Sequence, residues 1–422
     1  MPLSGTSRWF LSAAQANLGV AGALVLIDRQ SGVLSDQWNV LVWLLLVGFF
    51  GCTTLGFSLH LFPAVARRRL PRDPLRGAAF VLMEASVALG AYALYEAGSL
   101  PARGSLFSLA AALMVIAVAV TLQSLLRAVA GPRVTGPSPE TRAGDFVTVP
   151  LFLLSWSAAL GSGVLFALSG LWVGPGFGWW LAAVHLFVLG HATVLVAAVL
   201  LRFVPRSVDR DPPHAAVFGV ATLGGLGGVL VPVGMLLVPP RPMVLLLALA
   251  GPEAAFAAVL FGLLIYLASR AKAPRRQVGL SLSAVGFLLI GGAIGLGMVA
   301  DLNSQPVISH ALINVLGFLG LTILVMWFGM IAPFQRISHA WTRRMLWAIA
   351  GVWLVAVVVL AAVGALAGAP PTWGPALGGA LLLGVAAAWG AGTIPVLFPS
   401  VNPLPGLTSE RIRVLRDRWS RR

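Results

Sequence analysis

The sequence contains GFFGCTTLGFSLHLFP at residues 48–63, GHATVLVAAVLLRFVP at 190–205 and GFLGLTILVMWFGMIAP at 317–333. Each stretch runs from a glycine through apolar residues to a proline that basic residues follow. The glycine and the proline are 15 residues apart in the first two stretches and 16 apart in the third. Three such matches in one chain indicate an internal repeat.

A second glycine precedes each stretch at a similar distance. Gly22, Gly163 and Gly292 lie 26, 27 and 25 residues before the first glycine of the three stretches. The repeated unit is therefore longer than one helix, and the spacing predicts four helices used three times. We expect the repeats at residues 1–131, 149–272 and 277–398, followed by a basic tail at 399–422.

The composition predicts a membrane protein. Hydrophobic residues make up 59% of the 422 residues, charged residues 10%, and the mean hydropathy is +0.93. Crossing a bilayer as a helix takes about 20 apolar residues, and continuous apolar runs of that length, without the alternation of strands, recur along the chain. We expect twelve helical spans near 9–27, 38–65, 77–98, 104–130, 149–172, 178–205, 213–238, 242–270, 277–300, 307–335, 343–367 and 373–398.

The positions of the basic residues predict the orientation. The net charge is +15, and with the N-terminus inside, 25 of the 28 Lys and Arg residues fall on the inner side. Only Arg29, Arg103 and Arg241 fall outside. Basic residues mark the cytoplasmic face, so the sequence predicts both termini in the cytoplasm and no nucleic-acid partner. The protein is expected in the inner cell membrane, with its basic tail against anionic lipid headgroups.

The repeat also argues against the main alternative fold for a chain of twelve membrane helices. Major-facilitator transporters consist of two six-helix halves built from inverted three-helix repeats. Three parallel units of four helices do not fit that plan. We therefore expect an all-α bundle with a threefold pseudo-axis normal to the membrane.

Three histidines lie within the predicted spans at depths that indicate a site. His185 and His310 precede the glycines of their repeats by five and seven residues, so at ~1.5 Å per residue their depths differ by about 3 Å. Histidine at membrane depth commonly marks a ligand, proton or cofactor site, although two separately satisfied histidines are the alternative. His191 follows His185 by six residues, about 120° around the helix. The equivalent residues Phe49 and Phe318 indicate a packing position for His191.

Other candidate groups are few. The single cysteine, Cys52, excludes an internal disulfide and any multi-cysteine zinc or iron–sulfur site. Two carboxyl groups lie within predicted spans. Glu253 follows Pro252 near the middle of its span, and its role is either proton handling or a structural hydrogen bond. Glu84 is expected to have a structural role.

The stretch SHALINVLGFLGLTI (309–323) resembles the His-x-His-x-Asn-x-x-Gly-Phe motif of the catalytic subunits of heme-copper oxidases and nitric oxide reductases. Twelve helices in three arcs are also the fold of that family. The resemblance implies that His310 matches the proximal ligand of the active-site heme. It also implies that His185 matches the histidine that ligates copper from the sixth helix.

The chain departs from the family at most other ligand positions. Leu312 replaces the second histidine of the motif, and Trp43 occupies the position expected for the ligand from the second helix. The seventh span has no adjacent histidine pair in its outer half. We therefore expect neither a bis-histidine low-spin heme nor reduction of oxygen to water.

What remains points to one cofactor. The resemblance implies a single b-type heme, or one metal ion such as copper, bound by His185 and His310 with His191 as a further candidate. Its role would be redox chemistry, nitric oxide handling or metal handling, similar to the NnrS-related membrane proteins of the nitric oxide response. A transporter or channel whose polar path uses these histidines and Glu253, and a cofactor-free assembly or interaction subunit, are the alternatives. Whether the protein is an enzyme, and which redox partner it has, stay open.

Overall fold

The computed structural model describes residues 5–27, 38–70, 73–96, 100–132, 142–171, 177–237, 242–271, 276–301, 307–328, 339–365 and 374–397. All regular elements of these ranges are helices. In chain order they are α1 (Gly5–Leu26), α2 (38–66), α3 (Leu75–Glu96), α4 (Leu100–Ala130), α5 (Ala143–Leu171), α6 (177–208), α7 (His214–Leu236), α8 (242–270), α9 (Arg276–Asp301), α10 (Val307–Met326), α11 (His339–Ala365) and α12 (Gly374–Leu397).

Eleven of these helices are long and apolar enough to cross a membrane, which makes the chain a multi-pass membrane protein. The last helix, α12, has a shorter apolar segment, Gly374–Gly390. The predicted spans overlap these helices closely. The predicted tail at 399–422 and the end of the tenth predicted span lie outside the described residues.

The largest difference from the predicted boundaries is at the start of the fifth span. We expected the fifth span at residue 149, but α5 begins at Ala143 and contains Pro150. Asp145 lies in the first turn, where its carboxylate accepts a hydrogen bond from the backbone N–H of Arg142 at 3.0 Å. The side chains of Arg202 and Arg206 contact the same carboxylate at 2.7 and 2.6 Å. A paired acid near the helix N-terminus stabilises this additional turn.

Three helices form the interior of the bundle. The most apolar windows of α2, α6 and α10 are 100%, 83% and 78% buried inside the protein, against 28–44% for the other candidate spans. The outer helices pack in sequence around them, and α1 packs along α12, so the two ends of the described chain meet. The three stretches that carry the sequence repeat therefore occupy the interior.

Each interior helix contains a π-helical segment around its repeat glycine. The segments are Leu44–Gly51 with Gly48, Leu186–Thr193 with Gly190, and Ile313–Gly320 with Gly317. They contact one another pairwise at the centre of the bundle. π-Helical turns are rare in proteins, and those that occur are often at functional sites. Hydropathy alone does not predict them.

In each repeat, the glycine of the π-helical segment faces the same position on the helix that precedes it in the chain. A β-carbon at Gly48 would lie 3.0 Å from Asn17, one at Gly190 would lie 3.0 Å from Ala158, and one at Gly317 would lie 2.7 Å from Phe287. These three neighbours each stand five residues before Gly22, Gly163 and Gly292 respectively. The register between the two helices is thus the same in all three places.

Close packing at Gly228 is expected to be essential for stability. A β-carbon at Gly228 of α7 would lie 2.8 Å from the Cα atom of Gly190, a backbone atom that cannot move freely. We expect Gly228→Val to lower the thermal stability of the detergent-purified protein, by about 1–3 kcal/mol of overpacking. Gly262→Val on α8 is the matched control, because no atom lies within 4 Å of its β-carbon position. Equal melting temperatures of the two variants would contradict this packing.

Candidate metal-binding site

The structure brings the side chains of His185 and His310 together. Each histidine lies directly before or close to a π-helical segment: His185 ends the first part of α6, and His310 precedes Ile313–Gly320 in α10. Their ring centroids are 6.3 Å apart and their planes differ by 23°. Both side chains are half-buried. Two histidines on different interior helices therefore form one cluster.

Both imidazoles are held through the same nitrogen. His185 Nδ1 lies 2.8 Å from the carbonyl oxygen of Leu181, and His310 Nδ1 lies 2.8 Å from the carbonyl oxygen of Gly291. A carbonyl oxygen only accepts hydrogen bonds, so each Nδ1 must carry the proton. In a neutral ring the lone pair is then on Nε2. Protein groups commonly orient metal-binding histidines in this way.

The surroundings of His310 include an amide and two glycines that the motif alone did not assign. Asn314 donates from Nδ2 to the carbonyl oxygen of His310 at 2.9 Å. A β-carbon at Gly295 would lie 2.7 Å from His310 Cε1, and one at Gly291 would overlap the Asn314 side chain. The glycine-rich run in α9 is the sequence signal for these contacts. It predicts that another helix approaches α9 closely, but it does not identify the approaching residues.

His191 lies in a different environment from the other two. Its ring is fully buried, with Nε2 at 3.0 Å from Thr54 Oγ1 and Nδ1 at 2.8 Å from Ser155 Oγ. Nδ1 also lies 3.1 Å from the carbonyl oxygen of Ser155, which only accepts and so favours the proton on Nδ1, while the Thr54 hydroxyl can donate to Nε2. The rings of Trp156 and Phe187 pack against it. Because protein groups occupy both nitrogens, His191 joins α2, α5 and α6 and does not share the cluster of His185 and His310.

Removal of one of these hydroxyl groups is expected to lower stability without changing metal content. In Ser155→Ala, His191 would lose the hydroxyl contacts to its Nδ1 and to its carbonyl oxygen, while Nδ1 keeps the backbone carbonyl oxygen of residue 155. The lost hydrogen bonding is expected to cost about 0.5–1.5 kcal/mol. Thermal unfolding and metal analysis of the same preparation measure the two effects. Ser157→Ala on the same helix is the control, since its exposed hydroxyl bonds only within α5. Loss of bound metal in Ser155→Ala would instead place His191 in the site.

Among the described residues, two cavities lie inside the bundle, away from the histidine cluster. Their volumes are about 20 and 10 Å³. The first lies between α2, α6 and α10 and the second between α2 and α10, and neither is lined by His185 or His310. Cofactor pockets are about 300–1,000 Å³, so the packing leaves no slot for a heme at these cavities. Within the described ranges, no group of three or more His, Cys, Asp or Glu residues is placed to hold a metal ion.

Comparison with known proteins locates the fold. No protein-family model matches the chain, and no curated protein sequence matches it. A heme-copper terminal oxidase, solved as a dimer by cryo-electron microscopy, is similar in structure with a TM-score of 0.66 and 14% sequence identity. The alignment covers 94% of this chain and 84% of that chain. A likeness at this identity shows the fold and not the chemistry, so this chain has the fold of a heme-copper terminal oxidase.

Proposed function

We propose that this membrane protein binds one transition-metal ion, copper(I), between His185 and His310, for metal handling or redox chemistry and not for oxygen reduction. The observation that carries the proposal is the pairing of two imidazoles whose Nδ1 atoms are fixed to backbone carbonyls. That arrangement leaves two Nε2 lone pairs in one cluster. No hydrogen-bond partner for either Nε2 is found among the described residues.

The separation of the rings agrees with a shared ion. Two metal–nitrogen bonds of about 2.0–2.1 Å, plus about 1 Å from each nitrogen to its ring centre, give about 6 Å between centroids. The observed separation is 6.3 Å. The proposal requires both Nε2 atoms to point at the shared ion, and the ring separation is the one that such an arrangement gives.

The small number of ligands favours copper(I). Structural zinc takes four ligands, and copper(II) prefers four in a tetragonal arrangement. Copper(I) accepts two nitrogen ligands, and imidazole is a suitable ligand for copper. The described residues offer no third histidine, cysteine or carboxylate at this point. A heme would in addition need a flat slot between the rings, and neither described cavity adjoins them.

The test is an anaerobic titration of the detergent-purified protein with copper(I) against a chromophoric copper(I) chelator. We expect one copper(I) ion per chain to be withdrawn from the chelator. No withdrawal would overturn the proposal. A Soret band in the absorption spectrum of the purified protein would also overturn it in this form and would favour a b-type heme.

We also propose twelve spans in three repeats, 1–131, 149–272 and 277–398, about a threefold pseudo-axis, with both termini in the cytoplasm. The equal registers at Gly48, Gly190 and Gly317 support the repeats. Reporter fusions after α11 and after α12 test the count. We expect the fusion after α12 to report a cytoplasmic position and the fusion after α11 an external one. The same side for both would remove α12 as a span.

A further inference from the structure

A buried carboxyl group in α8 lies outside the histidine cluster. Glu253 is the last residue of a fourth π-helical segment, Leu249–Glu253, which also contains Pro252. The residue is 7% exposed, and its Oε1 atom is buried without a hydrogen-bond partner among the described residues. Buried polar atoms are almost always paired, so this oxygen requires an explanation.

The proline accounts for the local geometry. Pro252 has no N–H to donate to the preceding turn, and the chain compensates with a wider turn, in which the Ala254 N–H donates to the carbonyl oxygen of Leu249. The extra residue shifts the register of α8 at Glu253. Such π-turns are frequent at functional sites.

Glycines of α7 make room for the carboxyl group. A β-carbon at Gly227 would lie 2.5 Å from Glu253 Oε2, and one at Gly224 would lie 2.9 Å from the ring of Phe256. The carboxyl group thus lies against the backbone of α7, inside the helix pair and away from lipid. A side chain at position 227 would displace the carboxyl group of Glu253.

No charge lies at the same depth on the helices that pack against this segment. Its neighbours are α7, α9 and the rest of α8. Their titratable residues are at helix ends: His214 begins α7, Arg276 and Asp301 bound α9, and Tyr266 and Arg270 lie near the end of α8. Arg270 is 17 residues from Glu253, about 25 Å along the helix. An ionised, unpaired carboxylate at this depth would lose several kcal/mol of solvation free energy. We therefore infer that Glu253 carries its proton.

We propose that Glu253 is a proton-exchange site in the membrane, a neutral carboxylic acid that releases and takes up a proton at the π-turn of α8. Its ligand is the proton. A metal cation is disfavoured because hard cations require several oxygen ligands, and the segment LAGPE supplies one carboxyl side chain. The site is separate from the histidine cluster and does not depend on bound copper.

A hydrophobic carbodiimide is a direct probe of such a group. The carboxyl oxygen bonds to the central carbon of the carbodiimide while the acid proton moves to a carbodiimide nitrogen, and the adduct rearranges to a stable N-acylurea. Nothing is oxidised and nothing leaves. Glu84 is the internal control, because its carboxylate accepts hydrogen bonds from Cys52 Sγ at 3.0 Å and from Asn17 Nδ2 at 3.5 Å.

The experiment treats the full-length protein in membranes with dicyclohexylcarbodiimide and locates the adduct by mass spectrometry. We expect labelling at Glu253 at least tenfold faster than at Glu84, and no adduct at position 253 in Glu253→Gln. Sodium ions should not slow the labelling. Equal rates at the two glutamates, or protection by sodium, would overturn the proposal.

Infrared spectroscopy supplies a second readout on the unmodified protein. We expect a carbonyl band of a protonated carboxylic acid that shifts in D₂O within minutes and is absent from Glu253→Gln. A band that does not shift would show a sealed structural acid, and a missing band would show an ionised carboxylate. Either result would overturn proton exchange even if the variant itself were unstable.

Discussion

His310→Ala is expected to lower copper(I) affinity by more than about 100-fold, because it leaves the ion with one protein nitrogen. Loss of groups that merely orient a metal ligand already costs about 10–100-fold in affinity, and here a ligand itself is removed. Competition against a copper(I) chelator measures the effect. His185→Ala should behave alike, since the two rings are equivalent partners at 6.3 Å.

Controls separate the pair from histidines elsewhere. His214 is exposed at the first residue of α7, so His214→Ala should retain the full affinity for copper(I). The double variant His185→Ala, His310→Ala should be no worse than either single variant, because residues that act as a unit are not additive. Unchanged copper content in both single variants would leave the fold in place and remove the proposed site.

Hydropathy predicts most of the helices because the bilayer imposes a length on every span. The predicted spans 213–238 and 242–270 correspond to α7 (His214–Leu236) and α8 (242–270) within a few residues. The glycine-to-proline stretches lie in α2, α6 and α10, the helices that the structure places in the interior, and the sequence pattern alone did not predict that burial. The π-helical segments were not predicted, because a change from i→i+4 to i→i+5 hydrogen bonding leaves no mark in apolar composition.

The candidate site was predictable in part. Depth alone placed His185 and His310 at one level, since helical rise converts sequence position into height. Their orientation was not predictable, because the carbonyl oxygen that fixes His310 belongs to Gly291 of another helix. The partners of His191 show the same limit: Thr54 and Ser155 lie on α2 and α5, far from it in sequence. Contacts between helices have to be seen in the structure.

Gly295 provides a test that keeps both histidines. A β-carbon there would lie 2.7 Å from His310 Cε1, closer than non-bonded atoms approach, and 3.2 Å from Nδ1. The imidazole would therefore have to shift, which disturbs both its hydrogen bond to the carbonyl oxygen of Gly291 and its position relative to the His185 ring. A displacement of about 1 Å can cost on the order of 100-fold where geometry decides binding.

We expect Gly295→Ala to weaken copper(I) binding at least about tenfold and Gly295→Val to abolish it. Alanine and valine both favour a helix over glycine by up to about 1 kcal/mol, so α9 itself should not be weakened. Gly297→Ala and Gly297→Val are the matched controls, because Gly297 is exposed two residues further along and has no atom within 4 Å of its β-carbon position. Copper titration and thermal unfolding of all four variants separate loss of the site from loss of the fold. If the Gly295 variants bind copper as tightly as the Gly297 variants, the ion does not depend on the position of the His310 ring.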